Sequence, residues 1–279
     1  MREQAPGAAE ADRGLRPPAS MPRAPERIVS LVPSLTEALF DLGLGERVVG
    51  VTDWCVHPAE RVAGLPRVGG TKDTNVDAVV ALRPDLVIAN HEENTRRTVA
   101  RLEAAGIPVW VTYPRTVADG AALLRALAVA LGAGEAAIRD VVEPVERAVA
   151  EARHARPARP VRVFCPVWRD PWMSVGADTY AHDLLTLCGG ANVFANRRER
   201  RYPIVTLADV VAAAPEVILL PDEPWSFGPR DVEELRRLDV PAAGRDGPVR
   251  IHCIDGTWVS WYGARIRTAL EAVRRLLHP

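Results

Sequence analysis

Lysine is nearly missing from this chain: of its 35 basic residues only Lys72 is not arginine. The arginines are scattered and are matched by 36 acidic residues, so no basic face exists for a nucleic acid. Long apolar runs are also missing. None approaches the roughly 18 residues of a membrane-spanning helix. The first 25 residues, rich in Ala, Pro, Arg and Glu, lack the roughly 7–15-residue apolar core of a secretory signal. These absences predict a cytoplasmic chain with a disordered tail over residues 1–25. The four cysteines, Cys55, Cys165, Cys188 and Cys253, have no paired spacing and form no zinc pattern, which predicts reduced and mostly buried thiols. Gly69-Gly70 opens no phosphate-binding helix, and no nucleophile elbow or Ser-His-Asp order occurs. A non-catalytic role, with no required cofactor, is therefore expected.

What the chain does contain is one stretch written twice. Val76 to Glu92 reads as a short amphipathic helix, a stop at Pro84, an acidic residue and a buried strand; Leu207 to Glu223 repeats the plan with its stop at Pro215. Each strand runs into an acidic loop, His91-Glu92-Glu93-Asn94 in one copy and Asp222-Glu223 in the other. The separation is too long for a solenoid and predicts an α/β fold of two Rossmann-like lobes, with ligands beyond the carboxyl ends of the strands.

A chain of 279 residues can build two such cores. The first lobe is expected over residues 26–133, with Ser34 and Glu37 as a capping box. A linking helix is expected over 134–158, kinked or restarted at Pro144, and a second lobe over 159–279. Further helices are expected at Thr95–Ala105, Val117–Leu131, Thr179–Leu187, Asp231–Leu238 and Ala264–Leu277.

Ile28-Val29-Ser30-Leu31-Val32-Pro33-Ser34-Leu35-Thr36-Glu37 followed by Val48-Val49-Gly50-Val51-Thr52 resembles the opening of vitamin B12-binding substrate-binding proteins of ABC importers. Leu82-Arg83-Pro84-Asp85-Leu86-Val87-Ile88 and Leu187-Cys188-Gly189-Gly190-Ala191-Asn192-Val193-Phe194 resemble them too. These belong to the helical-backbone metal-receptor superfamily, or class III periplasmic binding proteins, which also holds siderophore-, heme- and zinc-binding members. The resemblance spans about residues 27 to 275. It implies two α/β lobes joined by one long helix, a ligand cleft between them, and a monomer that binds a corrinoid, heme or iron chelate and meets an ABC permease. It places the ligand loops at Asp53 and Trp54, Thr71 and Lys72, Asn90 and His91, Trp168 to Trp172, and Tyr202. It places permease docking at Asp77 and, beside the position that falls on Ala208, at Asp209.

The residues themselves supply the rest of the expected ligand set. Trp54, Tyr113, Trp168, Trp172, Tyr202 and Trp225 offer flat faces suited to a planar chelate, each burying roughly 150–250 Å². Arg115 and Arg169 suit carboxylates or an amide rim, and Asp53, Glu92 and Glu223 complete a polar edge. His91 and Glu92 are the best pair for a divalent ion, with His57 or Asp222 as a further ligand. A cytoplasmic enzyme using His91, Glu92 and Lys72 or Asp222 is the alternative reading.

Overall fold

The computed structural model describes residues 14–155, 157–197, 199–241 and 247–279. It divides into two compact units. The first comprises Met1–Pro114, Ala118–Glu146 and Tyr262–Ala264; the second comprises Arg115–Val117, Arg147–Trp261 and Arg265–Pro279.

The first unit is built on four parallel strands, β1 (Ile28–Ser30), β2 (Val48–Val51), β3 (Leu86–Asn90) and β4 (Val109–Thr112), in the order β2-β1-β3-β4. Strand β3 is buried along its whole length, as a parallel strand covered on both faces must be. Val29, Leu31, Val87, Ala89 and Val109 share one face of the sheet with Val76 and Val79 of the helix Val76–Ala81 and Leu102 of the helix Arg96–Ala104. Both helices start where polar side chains satisfy free backbone donors. Asn75 accepts from Ala78 N at 3.1 Å, and Thr95 accepts from Thr98 N at 3.1 Å.

The second unit repeats the sheet with β5 (Val161–Phe164), β8 (Gly190–Asn192), β9 (Val217–Pro221) and β10 (Arg250–Ile254), all parallel, in the order β10-β9-β5-β8. A hairpin of β6 (Pro166–Trp168) and β7 (Met173–Ser174) follows β5. Phe164, Ile218 and Leu220 pack with Val210 of the helix Leu207–Ala213 and Leu235 of the helix Pro229–Arg236. Thr206 and Asp209 close a capping box at the first of these helices.

The two written copies occupy equivalent places, helix Val76–Ala81 with β3 and helix Leu207–Ala213 with β9. At each proline stop the preceding residue is left-handed, Arg83 at φ 48° and Ala214 at φ 43°. The proline ring disfavours the right-handed helical region there, and the chain leaves the helix by the one tight alternative.

Three local expectations change. Pro33 stands in the first turn of the helix Pro33–Asp41 and makes Val32 the N-cap, so Ser34 is inside the helix, buried and without a capping bond. Between Ala130 and His154 the helical path runs Glu135–Ala137, a π-helical turn Ile138–Val142, and Glu143–His154. The wider turn lies just before Pro144, whose ring would crowd a regular α-helical carbonyl. Strands β6, β7 and β8 are not predicted, because Gly190-Ala191-Asn192 and a proline-flanked loop carry little strand propensity.

Of the predicted tail, residues 1–13 lie outside the described residues. Residues 14–25 form turns without helix or strand, and Gly14 and Pro25 are buried. Among the described residues no helix is long and apolar enough to cross a membrane.

Candidate functional site

In the first unit the carboxyl ends of the strands carry a connected set of loops. Asn90, at the end of β3, is 1% exposed, and its Oδ1 accepts from Glu92 N at 2.8 Å and Glu93 N at 3.3 Å. Asn94 returns the favour, accepting from Asn90 N at 2.8 Å and donating to Leu31 O and Thr71 O. The Asn90 side chain, expected at the ligand, thus folds the 91–94 turn through Oδ1 and donates from Nδ2 to Thr112 Oγ1 at 3.3 Å. Thr71 contributes its carbonyl to the same network. Asn94, which no sequence signal singles out, organises the turn.

That turn presents His91 and Glu92, both half-buried. The His91 ring packs against Tyr113, centroids 4.4 Å apart at 41°, and the Lys72 ammonium donates to the Glu92 carbonyl. Asp53 and Trp54 follow β2. Asp53 N donates to Gly69 O at 2.9 Å, and Trp54 is 65% exposed. Gly70 lies close to both loops: a Cβ there would stand 2.1 Å from Asp73 Oδ1, so the Asp73 side chain would have to rotate away, and 3.4 Å from Trp54 Nε1. Asp53, Trp54, Lys72, His91, Glu92 and Tyr113 are thus all placed on strand-end loops of one unit. Among the described residues no three His, Cys, Asp or Glu side chains converge as ion ligands, so the divalent-ion site expected at His91 and Glu92 does not assemble.

In the second unit the expected residues separate into two kinds. Trp168 is 40% exposed and meets the half-buried Trp225 edge to face, centroids 5.1 Å apart at 70°. Tyr202 is half-buried between Arg201 and Pro203, whose carbonyls accept from Gly176 N and Ser174 N. Beside Trp225 lies a groove of about 740 Å³ whose walls include Arg169, Asp170, Arg230 and Glu234. Trp172, by contrast, is 8% exposed and stacked on Phe227 at 5.5 Å and 13° within the core, so it packs as a core residue where an open ligand wall was expected.

Three charged residues of the expected ligand set already have partners within the protein. Arg169 pairs with Asp231 and with Glu234, the latter at 2.6 Å, and lies over the Trp172 ring. Glu223 accepts from Ser260 Oγ at 2.8 Å and Trp261 Nε1 at 2.6 Å, tying down the Thr257–Ser260 turn. Arg115 pairs at 3.0 Å with Asp178, which also lies 3.4 Å from Arg201; neither Asp178 nor Arg201 is picked out by sequence.

The two docking carboxylates differ. Asp77 is solvent-exposed and paired with Arg101 at 3.1 Å. Asp209 uses both oxygens: Oδ2 accepts from Thr206 N and Oγ1, and Oδ1 from Arg197 at 2.6 Å. The Thr206 backbone bond, first, holds the Asp209 carboxyl below its ordinary range. Asp209 is thus the third-position partner of the Thr206 cap in a capping box, whereas Asp77 is far more open to solvent.

A periplasmic binding protein family model matches residues 28–242. The vitamin B12-binding protein of Yersinia pestis is 32% identical over 71% of this chain and 70% of its own length. That of Pectobacterium carotovorum is 26% identical over 89% and 87%. Among solved structures, the periplasmic heme-binding protein from Roseiflexus sp. RS-1 superimposes with a TM-score of 0.76 at 28% identity, covering 91% of this chain and 98% of that one. The periplasmic vitamin B12-binding protein of Vibrio cholerae gives 0.74 at 23%, covering 92% and 98%. These relatives are binding proteins for vitamin B12 or heme rather than enzymes, which sets aside the enzyme alternative. Their periplasmic setting overturns the expected cytoplasmic placement.

Proposed function

This chain belongs to the periplasmic binding protein family, and we propose that it captures a corrinoid for an ABC importer. It is a substrate-binding protein of the type that serves vitamin B12 and heme uptake. The observation that carries the finer reading is the solvent-facing Trp168–Trp225 pair at the strand ends of the second unit, matched in kind by the exposed Trp54 of the first. Open indole faces at strand ends suit a broad, flat ligand. A corrinoid brings its cobalt already coordinated and asks for stacking and polar edge contacts rather than a cluster of ion ligands. Asp53, Lys72, His91 and Glu92 supply such an edge, with Tyr113 and Tyr202 as further rings. The relationship to a heme-binding protein at 28% identity supports heme as the second reading. Asp77 is the carboxylate available to a permease.

Calorimetric titration with cyanocobalamin, hemin and a ferric chelate tests this. One cyanocobalamin per chain with a Kd of about 1 μM or tighter is the expected result. Hemin binding without cyanocobalamin binding transfers the reading to heme. Silence with all three overturns it.

A further inference from the structure

We propose that the segment from Gly14 to Pro25 is a strap that positions the Tyr113–His91 ring pair. The inference rests on reading those rings as part of the ligand wall. Strand β4 is an edge of its sheet, and Trp110 within it is fully buried. A buried indole N–H needs an acceptor. Here it donates at 3.3 Å to the carbonyl of Gly14, far away in sequence.

Gly14 also lies directly on the end of β4. A Cβ at this position would stand 2.6 Å from Tyr113 N and 3.2 Å from Tyr113 Cβ, so the approach is open to glycine alone. From there the contacts continue without a gap. The Tyr113 ring packs on His91 at 4.4 Å, and His91 N donates to Thr112 O at 2.9 Å.

The other end of the segment is tied as well. Pro25 is buried, and Glu26 N and Arg27 N donate to the Asp85 carboxylate at 2.9 and 3.0 Å. The segment is therefore held at both ends, with Gly14 seated on the end of the edge strand β4 next to the rings. Covered edges open less readily than bare ones, and a wall ring held in place binds more tightly than one that must be ordered on contact.

The test uses the full chain with 13C-labelled histidine. The ring current of Tyr113 displaces the His91 ring protons, so their chemical shifts report the pair without any ligand. Gly14→Val is expected to move those shifts toward the free-histidine position and to weaken cyanocobalamin binding about tenfold. Gly64→Val, at a glycine with nothing within 4 Å, is the control and should change neither. Trp110→Phe keeps an aromatic ring, smaller than the indole, and removes the N–H that Gly14 accepts; it should shift His91 in the same direction by less, and it decides the matter if Gly14→Val fails to fold. His91 shifts equal to wild type in the folded variants overturn the strap. If the wild type ignores cyanocobalamin, the corrinoid reading fails, and the shifts still decide the strap.

Discussion

Arg27 and Arg162 make the same set of bonds in the two units. Each backbone N–H donates to the acidic residue that follows the proline stop: Arg27 to Asp85 at 3.0 Å, and Arg162 to Glu216 at 3.0 Å. Each carbonyl accepts from that same residue's N–H, at 2.9 and 2.8 Å. Each Nε donates to the carbonyl of the left-handed residue, Arg83 or Ala214, at 3.1 Å, and each Nη2 to the carbonyl before it, Leu82 or Ala213. The guanidinium thus caps a helix that a proline has ended, and the carboxylate holds the start of the neighbouring strand. The acid between each proline stop and its strand is a strand clamp.

The clamps should differ in strength. Glu216 is 6% exposed and also takes Arg159 at 2.9 Å, whereas Asp85 is half-buried. Glu216→Ala is expected to lower stability by about 2 kcal/mol and Asp85→Ala by about 1 kcal/mol, since bonds to charged groups gain with burial. Urea denaturation of both variants measures this, and an inverted order would reject it.

Two tryptophans four positions apart should behave oppositely. Trp172→Ala empties a site against Phe227 and Phe164 and should cost about 3–5 kcal/mol. Trp168→Ala removes a partly exposed ring paired with Trp225 and should cost about 1 kcal/mol of stability. Ligand affinity should fall with Trp168→Ala. A stable Trp172→Ala protein that has lost binding would reverse the assignment.

Acid should weaken the fold between pH 6.5 and lower values. Burial, opposed by Asp183, lowers the His182 pKa, and burial with help from Arg250 lowers that of His252, both from 6.5. In that window the unfolded chain binds more protons than the folded one, so stability rises with pH and levels off above 6.5. Thermal melting from pH 5 to 8 should show this slope, and His182→Gln with His252→Gln should flatten it. An unchanged slope in the double variant would place the effect elsewhere.

Thiol labelling should be graded. Cys165 and Cys188 have pKa values pushed up to about 12 by burial, and burial raises that of Cys55 as well. Cys253 is exposed. Ellman's reagent at pH 8 should count one thiol in the folded protein and four in urea. More than one in the folded protein would contradict the burial of the others.

The sequence by itself determined the duplication, the parallel α/β lobes, the proline stops and most helix bounds. These follow from local rules: apolar periodicity, capping side chains, and a proline that cannot donate or continue a helix. The strand-end loops carrying Trp54 and His91 were legible for the same reason, whereas Trp168 lies in the unpredicted strand β6. Tertiary structure alone decided which aromatic residue faces out, Trp168, and which fills the core, Trp172. It also decided which polar groups find partners inside the protein: Arg169 on Asp231, Glu223 on Ser260 and Trp261, and the Asn90 Oδ1 on its own turn. Arg169 and Asp231, like Glu223 and Trp261, are joined from well-separated stretches of chain. Burial and ion pairing depend on what packing brings alongside a residue, and no periodicity in the chain encodes that neighbour.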